Sequence, residues 1–151
     1  MSHFPHKIII PQRPPYLVRR ERLTNLLCTI VERRLITLSA PAGYGKTSLL
    51  TDFASASPPL PVCWYTLDRF DEDPWVFLSY LAAAVEQRFP GATQQTETLL
   101  ASRSGNPFPT VAAALVRDLY AIGCDFVIVI DDWHLVDHVA DIRQVVEQIL
   151  L

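Results

Sequence analysis

Leu35-Ile36-Thr37-Leu38-Ser39-Ala40-Pro41-Ala42-Gly43-Tyr44-Gly45-Lys46-Thr47-Ser48-Leu49-Leu50 is the stretch whose reading decides the fold. Leu35 to Leu38 is a short apolar run that suits a buried strand. A loop with two glycines follows, and Ser48, Leu49, Leu50 and Phe53 then open a helix with an apolar face. The loop fits the phosphate-binding pattern G-x-x-x-x-G-K-[ST] over Ala40 to Thr47, with Ala40 in place of the first glycine. Each remaining position has a physical task. Backbone N–H groups of the loop and of the helix N-terminus surround phosphate oxygens. Gly45 lets the backbone approach without a Cβ in the way. Lys46 brings a cation to the terminal phosphates, and the Thr47 hydroxyl can ligate Mg²⁺. Ala42, Gly43, Tyr44, Gly45, Lys46, Thr47 and Ser48 are thus the candidate nucleotide-contacting residues of the loop.

Composition bounds the rest. The chain has 151 residues, 50% hydrophobic and only 19% charged, with a mean hydropathy of +0.19. That is apolar for a free-standing domain. Either the core is rich in alanine and leucine, or some apolar surface is meant for neighbours. Cys28, Cys63 and Cys124 show no paired spacing. No stretch approaches the roughly 20 apolar residues of a membrane helix. Ile8-Ile9-Ile10, followed by Pro11, is too short for a signal peptide. These features fit a reducing cytoplasm and no membrane partner. The net charge of −3 is uneven: residues 1–46 carry eight Lys and Arg against two acids, the remainder five against fourteen. A net-acidic chain gives no support for direct nucleic-acid binding by this segment.

Residues 1–18 read as an extended, proline-rich N-terminal segment, and 19–151 as the domain proper. Leu23, Leu26, Leu27, Ile30 and Val31 form one helical face, with Arg33 and Arg34 as C-terminal cations. The loop helix runs to about Ala56. Pro61 to Leu67 reads as a second strand ending at Asp68. Asp73-Pro74 forms an N-cap and N1 pair for a helix carrying Phe77, Leu78, Leu81 and Val85. Ala92 to Asn106 is polar, with one short helix at Thr96 to Ser102. A helix from Pro107 or Pro109 carries Val111, Leu115, Leu119 and Ile122. Asp125 to Asp132 reads as a strand covered on both faces, central in a parallel sheet. Val139 to Leu151 is the last helix. Alternating strands and helices predict an α/β fold with a mostly parallel sheet, whose ligands sit at the carboxyl ends of the strands.

Phe126-Val127-Ile128-Val129-Ile130-Asp131-Asp132 looks like a Walker B strand. Asp131 is the candidate Mg²⁺ partner beside Thr47. Asp132 stands where many ATPases carry a water-orienting glutamate. It is one methylene shorter, which predicts slow hydrolysis. Lys46 and Asp132 are the candidate catalytic residues. Asp68 is either a loop N-cap or an acid on the γ-phosphate side. His134 and His138 have a four-residue metal-site spacing but no third ligand. Trp64, Trp75 and Trp133 read as packing residues.

With these motifs placed, the chain resembles the ATP-binding domain of MalT-like, LuxR-type transcriptional activators, within the STAND class of P-loop ATPases. The stretches that carry the resemblance are K-I-I-I-P from Lys7, V-R-R-E-R-L from Val18, S-A-P-A-G-Y-G-K-T from Ser39, C-W-Y-T-L-D from Cys63, D-P-W-V-F-L-S-Y-L from Asp73, and V-I-V-I-D-D-W-H-L from Val127. The resemblance implies a P-loop NTPase three-layer α/β/α fold and a switch that binds ATP with Mg²⁺ and self-associates in the full-length protein. Arg20 matches an arginine near the adenine pocket. DNA binding would belong to a C-terminal helix-turn-helix outside this chain. The family's sensor strand, which normally lies between the phosphate-loop strand and the Walker B strand, is also absent. Its absence predicts either a gap in the sheet or direct pairing of those two strands, and a chain that is a fragment. Two other readings remain open: a small-molecule kinase or other metabolic P-loop enzyme, and a non-catalytic interaction protein.

Overall fold

A computed structural model describes residues 5–102 and 105–151. The first four residues of the 1–18 segment, and residues 103 and 104 of the 92–106 stretch, lie outside the described residues. The order of elements is α1 (Glu21–Ile30), α2 (Lys46–Ser55), β1 (Val62–Thr66), α3 (Pro74–Arg88), α4 (Gln94–Ala101), α5 (Phe108–Ala121), β2 (Val127–Asp131) and α6 (Ala140–Leu150). Among the described residues the 3-10 turns Pro5–Lys7, Arg69–Glu72 and Trp133–Leu135 punctuate it. The chain is a mixed α/β structure around a small parallel sheet.

The two strands pair in parallel, Val62 opposite Val127 through Thr66 opposite Asp131. Parallel partners need a long crossover, and here it contains α3, α4 and α5. Strand side chains alternate between faces, and the packing follows that rule. Cys63, Tyr65 and Leu67 enter the larger core with Phe77, Leu81, Leu115 and Ile142, and Ile128 and Ile130 pack against it. Val62 and Val127 instead meet a smaller cluster of Leu27, Val31, Leu49 and Phe53, from α1 and α2. Helices therefore lie against both faces. Burial pushes the Cys63 thiol up to about 12, so it packs as a small apolar group.

The helices begin and end where local chemistry dictates. The Asp73 side chain accepts from the Trp75 backbone N–H at 2.9 Å, with Pro74 at the first helical position. Asp118 on α5 accepts from both the N–H and the hydroxyl of Thr96, at 2.9 and 2.7 Å, which ties α4 to α5. Gly123, just beyond α5, takes φ +74, a left-handed conformation that glycine adopts without a Cβ penalty. Trp75 packs edge-on against Phe108 and Trp133 against Phe77, centroids 5.3 and 6.5 Å apart. Trp64 is 2% exposed. All three tryptophans are packing residues, as expected.

Two expectations are corrected. Leu35 to Leu38 is not a buried strand: it joins no sheet, Leu35 is 63% exposed, and only Ile36 and Leu38 pack against the α1–α2 cluster. A run of apolar residues sets an extended path, but a strand also requires a hydrogen-bonding neighbour. Nor is Asp125 to Asp132 central. Among the described residues β2 pairs only with β1, and Val127, Ile128 and Ile130 are only partly buried. The direct pairing of the 35–38 segment with β2, one of the two predicted outcomes, does not occur. Smaller differences concern α1. It ends at Ile30, so Arg33 and Arg34 lie beyond it, and Arg34 donates to Leu150 O and Leu151 O at the end of α6. Leu26 points away from the core and is 52% exposed.

Leu81 is fully buried in the larger core. Leu81→Ala is expected to lower the unfolding free energy by about 2–5 kcal/mol, as large-to-small core changes do, with the urea midpoint as the measurement.

Candidate functional site

The site grows from the C-terminal ends of the two strands and the N-terminus of α2. Because Val127, Val129 and Asp131 alternate onto one face of β2, Asp131 is turned toward α2. There the Thr47 hydroxyl donates to Asp131 Oδ2 at 2.7 Å, across 84 residues of sequence. Asp131 is 4% exposed, and its other oxygen, Oδ1, accepts from the Asp132 backbone N–H at 3.0 Å.

The loop before α2 has the backbone that its glycines permit. Gly43 and Gly45 take φ +82 and +77, and Gly45 is the N-cap of α2, with no side chain capping that helix. Ala42, Gly43 and Tyr44 are exposed, while Gly45, Lys46 and Ser48 are half-buried. The Lys46 ammonium folds back on the loop, donating to Ala40 O, with Pro41 O at 3.4 Å. Arg20, the N-cap of α1, reaches the same place: its guanidinium lies 3.6 Å from where a Cβ on Gly45 would stand. The structure thus brings Arg20, Gly45, Lys46, Thr47, Asp131 and Asp132 to one end of the fold.

Asp132 adopts a left-handed backbone at φ +63 and starts the 3-10 turn Trp133–Leu135. Such a conformation is uncommon outside glycine, although aspartate tolerates it better than most residues. Burial, then the neighbouring Asp131 carboxylate, hold its carboxyl above the usual range, partly offset by His134 and Lys46. The oxygen donors Thr47 and Asp131 suit a hard cation such as Mg²⁺, and the uncapped helix start beside two cations suits an anion. The residues present fit both groups.

Other candidates resolve differently. Asp68 is an N-cap: its side chain accepts from the Phe70 N–H at 2.9 Å, and Asp71 returns the bond to the Asp68 N–H at 2.7 Å. His134 lies in a 3-10 turn and His138 in the turn after it, so the pair does not share a helical face. Among the described residues no group of three or more His, Cys, Asp or Glu is placed to hold a metal ion. No helix among them is long and apolar enough to cross a membrane.

Sequence reasoning gave Lys7 and Asp71 no role in or around the site. Lys7 is 3% exposed and Asp71 is 0% exposed. The Lys7 ammonium donates to Asp71 Oδ1 and Oδ2 at 2.7 and 2.6 Å, and the Tyr65 hydroxyl donates to Asp71 Oδ1 at 2.6 Å. The only signal in the sequence was a lone lysine ahead of three isoleucines, and no local rule pairs residues 64 apart.

The fold and site together define an α/β chain whose strand-end carboxylates meet a glycine loop at a helix N-terminus. No family model matches the chain. It is 36% identical over 132 residues to the HTH-type transcriptional regulator MalT of Cronobacter sakazakii (strain ATCC BAA-894), an alignment covering 87% of this chain and 14% of that protein. The chain is MalT-like over the matched residues, and it spans a small part of the length of that relative.

Two outcomes test the site. Gly45→Ala is expected to cost about 1–2 kcal/mol, because an L-residue must then hold a left-handed backbone. The Cβ itself would meet only ordinary contacts, so the loss should appear in thermal melts even without ligand. For Asp132, a raised carboxyl pKa means that the folded state holds the proton more tightly than the unfolded chain. The residue therefore costs stability as pH rises from the ordinary aspartate value of about 3.9 into the raised window. Asp132→Asn should raise Tm at neutral pH, and the gain should fade in melts run below that ordinary value.

Proposed function

We propose that this chain is the ATP-binding, slowly hydrolysing switch module of a MalT-like transcriptional regulator, with the architecture of a P-loop NTPase of the STAND class. In this reading Ala40 to Thr47 form the Walker A motif, Ala42 to Ser48 contact the nucleotide, and Asp131 is the Walker B carboxylate. The observation that carries it is the 2.7 Å hydrogen bond between the Thr47 hydroxyl and Asp131. Two motifs read separately from the sequence, one at a helix N-terminus and one at a strand end, meet at their ligand-bearing oxygens.

Each residue then has a task of its own. The N–H groups of the loop and of the first turn of α2 receive phosphate oxygens, as Gly43 and Gly45 allow the backbone to turn inward. Lys46, whose ammonium now donates to the loop carbonyl of Ala40, would supply the charged donor for phosphate oxygens. Arg20 adds a second cation beside Gly45. Thr47 and Asp131 would hold Mg²⁺, which when bound would neutralise charge on the terminal phosphates. Asp132, with its raised proton affinity, stands next to Asp131 as the group that orients water. The edge of β2 that pairs with no strand among the described residues, and the strand-free path of residues 35–38, are what a missing intermediate sensor strand would leave. That strand and the DNA-binding part would come from elsewhere in a longer protein, which would act in the cytoplasm and self-associate in its ATP-bound form. Support for the regulator part of the reading is the similarity to a protein described as an HTH-type transcriptional regulator.

Thermal unfolding with Mg-ATP, Mg-ADP and Mg-GTP provides the test. A ligand at a hundred times its Kd stabilises by about 2.7 kcal/mol, which is several degrees in a domain of this size. Adenine nucleotides are expected to raise Tm and Lys46→Ala to abolish the shift. Asp131→Asn should weaken binding more with Mg²⁺ than without it. An unshifted wild type, or a Lys46→Ala variant that still responds fully, would overturn the assignment.

A further inference from the structure

The buried cation Lys7 lies outside the loop and strands assigned above. Lys7 belongs to the Pro5–Lys7 turn, yet its ammonium sits inside the larger core. It bonds both oxygens of Asp71, approaches Asp68 Oδ2 at 3.2 Å, and lies 4.2 Å from the centroid of the Tyr80 ring. Asp71 in turn accepts from the Tyr65 hydroxyl and from the Asp68 backbone N–H. One lysine from the start of the chain thus anchors both ends of the capping box of the Arg69–Glu72 turn.

That turn adjoins the site. The Leu67 N–H, just before Asp68, donates to Asp131 O at 3.1 Å. The Arg69–Glu72 turn also packs against the Trp133–Leu135 turn, which Asp132 begins. Hydrogen bonds from Lys7 to Asp71 and from Asp68 to Asp71, the Asp68–Leu67 peptide link and the Leu67–Asp131 backbone bond therefore connect Lys7 to the backbone that carries Asp131 and Asp132. A buried ammonium is costly to place and is retained only when its partners are close and complete. Here its partners are the residues that shape the carboxyl end of β1, beside the two carboxylates of the site.

We infer that Lys7 is a positioning residue: through Asp71 and Asp68 it holds the Arg69–Glu72 turn, and with it the Asp131–Asp132 corner, in the arrangement that a triphosphate and its cation require. This rests on the nucleotide-binding reading of the site. The N-terminal segment thereby becomes part of the site's support, and its docking sets how well the site distinguishes ATP from ADP. The loop of residues 42–45 is anchored away from Lys7, through the α1–α2 cluster and the Arg13–Asp52 pair.

The test compares wild type, Lys7→Met, the pair-removing Lys7→Met/Asp71→Asn, and Lys46→Ala. Amide exchange is followed in residues 131–136, 43–49 and 108–121, and Mg-ATP and Mg-ADP affinities are measured by titration. Both Lys7 variants are expected to exchange faster at 131–136 with 108–121 unchanged, and to lose about tenfold in Mg-ATP affinity, an ordinary coupling strength, while Mg-ADP affinity stays within about twofold. The double variant leaves no unpaired buried charge, so it remains folded and carries the test where the single variant does not. Unchanged exchange at 131–136, acceleration spread evenly along the chain, or equal losses for both nucleotides would overturn the inference, since a merely structural lysine would give these. A Lys46→Ala variant with wild-type nucleotide affinity would instead sink the nucleotide reading, and the exchange profile would still decide the role of Lys7.

Discussion

The structure depends on one pairing, the parallel register of Val62–Thr66 with Val127–Asp131. The two strands are separated by three helices, and nothing local brings them together. Once they pair, alternation of side chains decides everything around them. Tyr65 and Cys63 must enter the larger core, and Val62, Val127 and Asp131 must face α1 and α2. That is why Asp131 meets Thr47 and why Tyr65 meets Asp71. A shift of one residue would exchange the two faces, placing a carboxylate in the apolar core.

The sheet is unusually small for the work assigned to it. Two strands alone are marginal in water, and they persist when packed against helices. Here α3, α5 and α6 supply most of the buried apolar surface, while α1 and α2 close the other face with a much smaller cluster. The asymmetry has a functional side. The face with the thinner packing carries the glycine loop of residues 42–45, and the thicker face holds the strand ends against α3, α5 and α6. Low local stability at a binding loop on a rigid support is a common arrangement.

Charge is distributed to match. The basic beginning of the chain is not a uniform patch. Lys7 is buried against Asp71 and Asp68, Arg13 pairs with Asp52 on α2, Arg20 lies beside Gly45, and Lys46 bonds the loop carbonyl of Ala40. Two of these cations thus dock the segment before α1 onto the body of the fold, and two face the site. Sequence counting found the asymmetry but could not divide it into these uses.

Much was legible in the sequence because it was local. The Asp73-Pro74 start of α3, the Gly123 stop after α5, the apolar run of β2 and the spacing of Gly43, Gly45, Lys46 and Thr47 each depend on neighbours within a few residues. Backbone preference and side-chain period decide such features, and the α/β character followed from them. The tertiary structure alone decided whether Leu35 to Leu38 becomes a strand, since a ladder needs a partner that sequence position does not name. It alone decided between the two readings of Asp68 in favour of the cap, because the returning bond comes from Asp71. It alone found Lys7, whose partner lies 64 residues away. Period and propensity act over a turn or a strand, whereas pairing, burial of charge and the meeting of Thr47 with Asp131 depend on how distant segments pack.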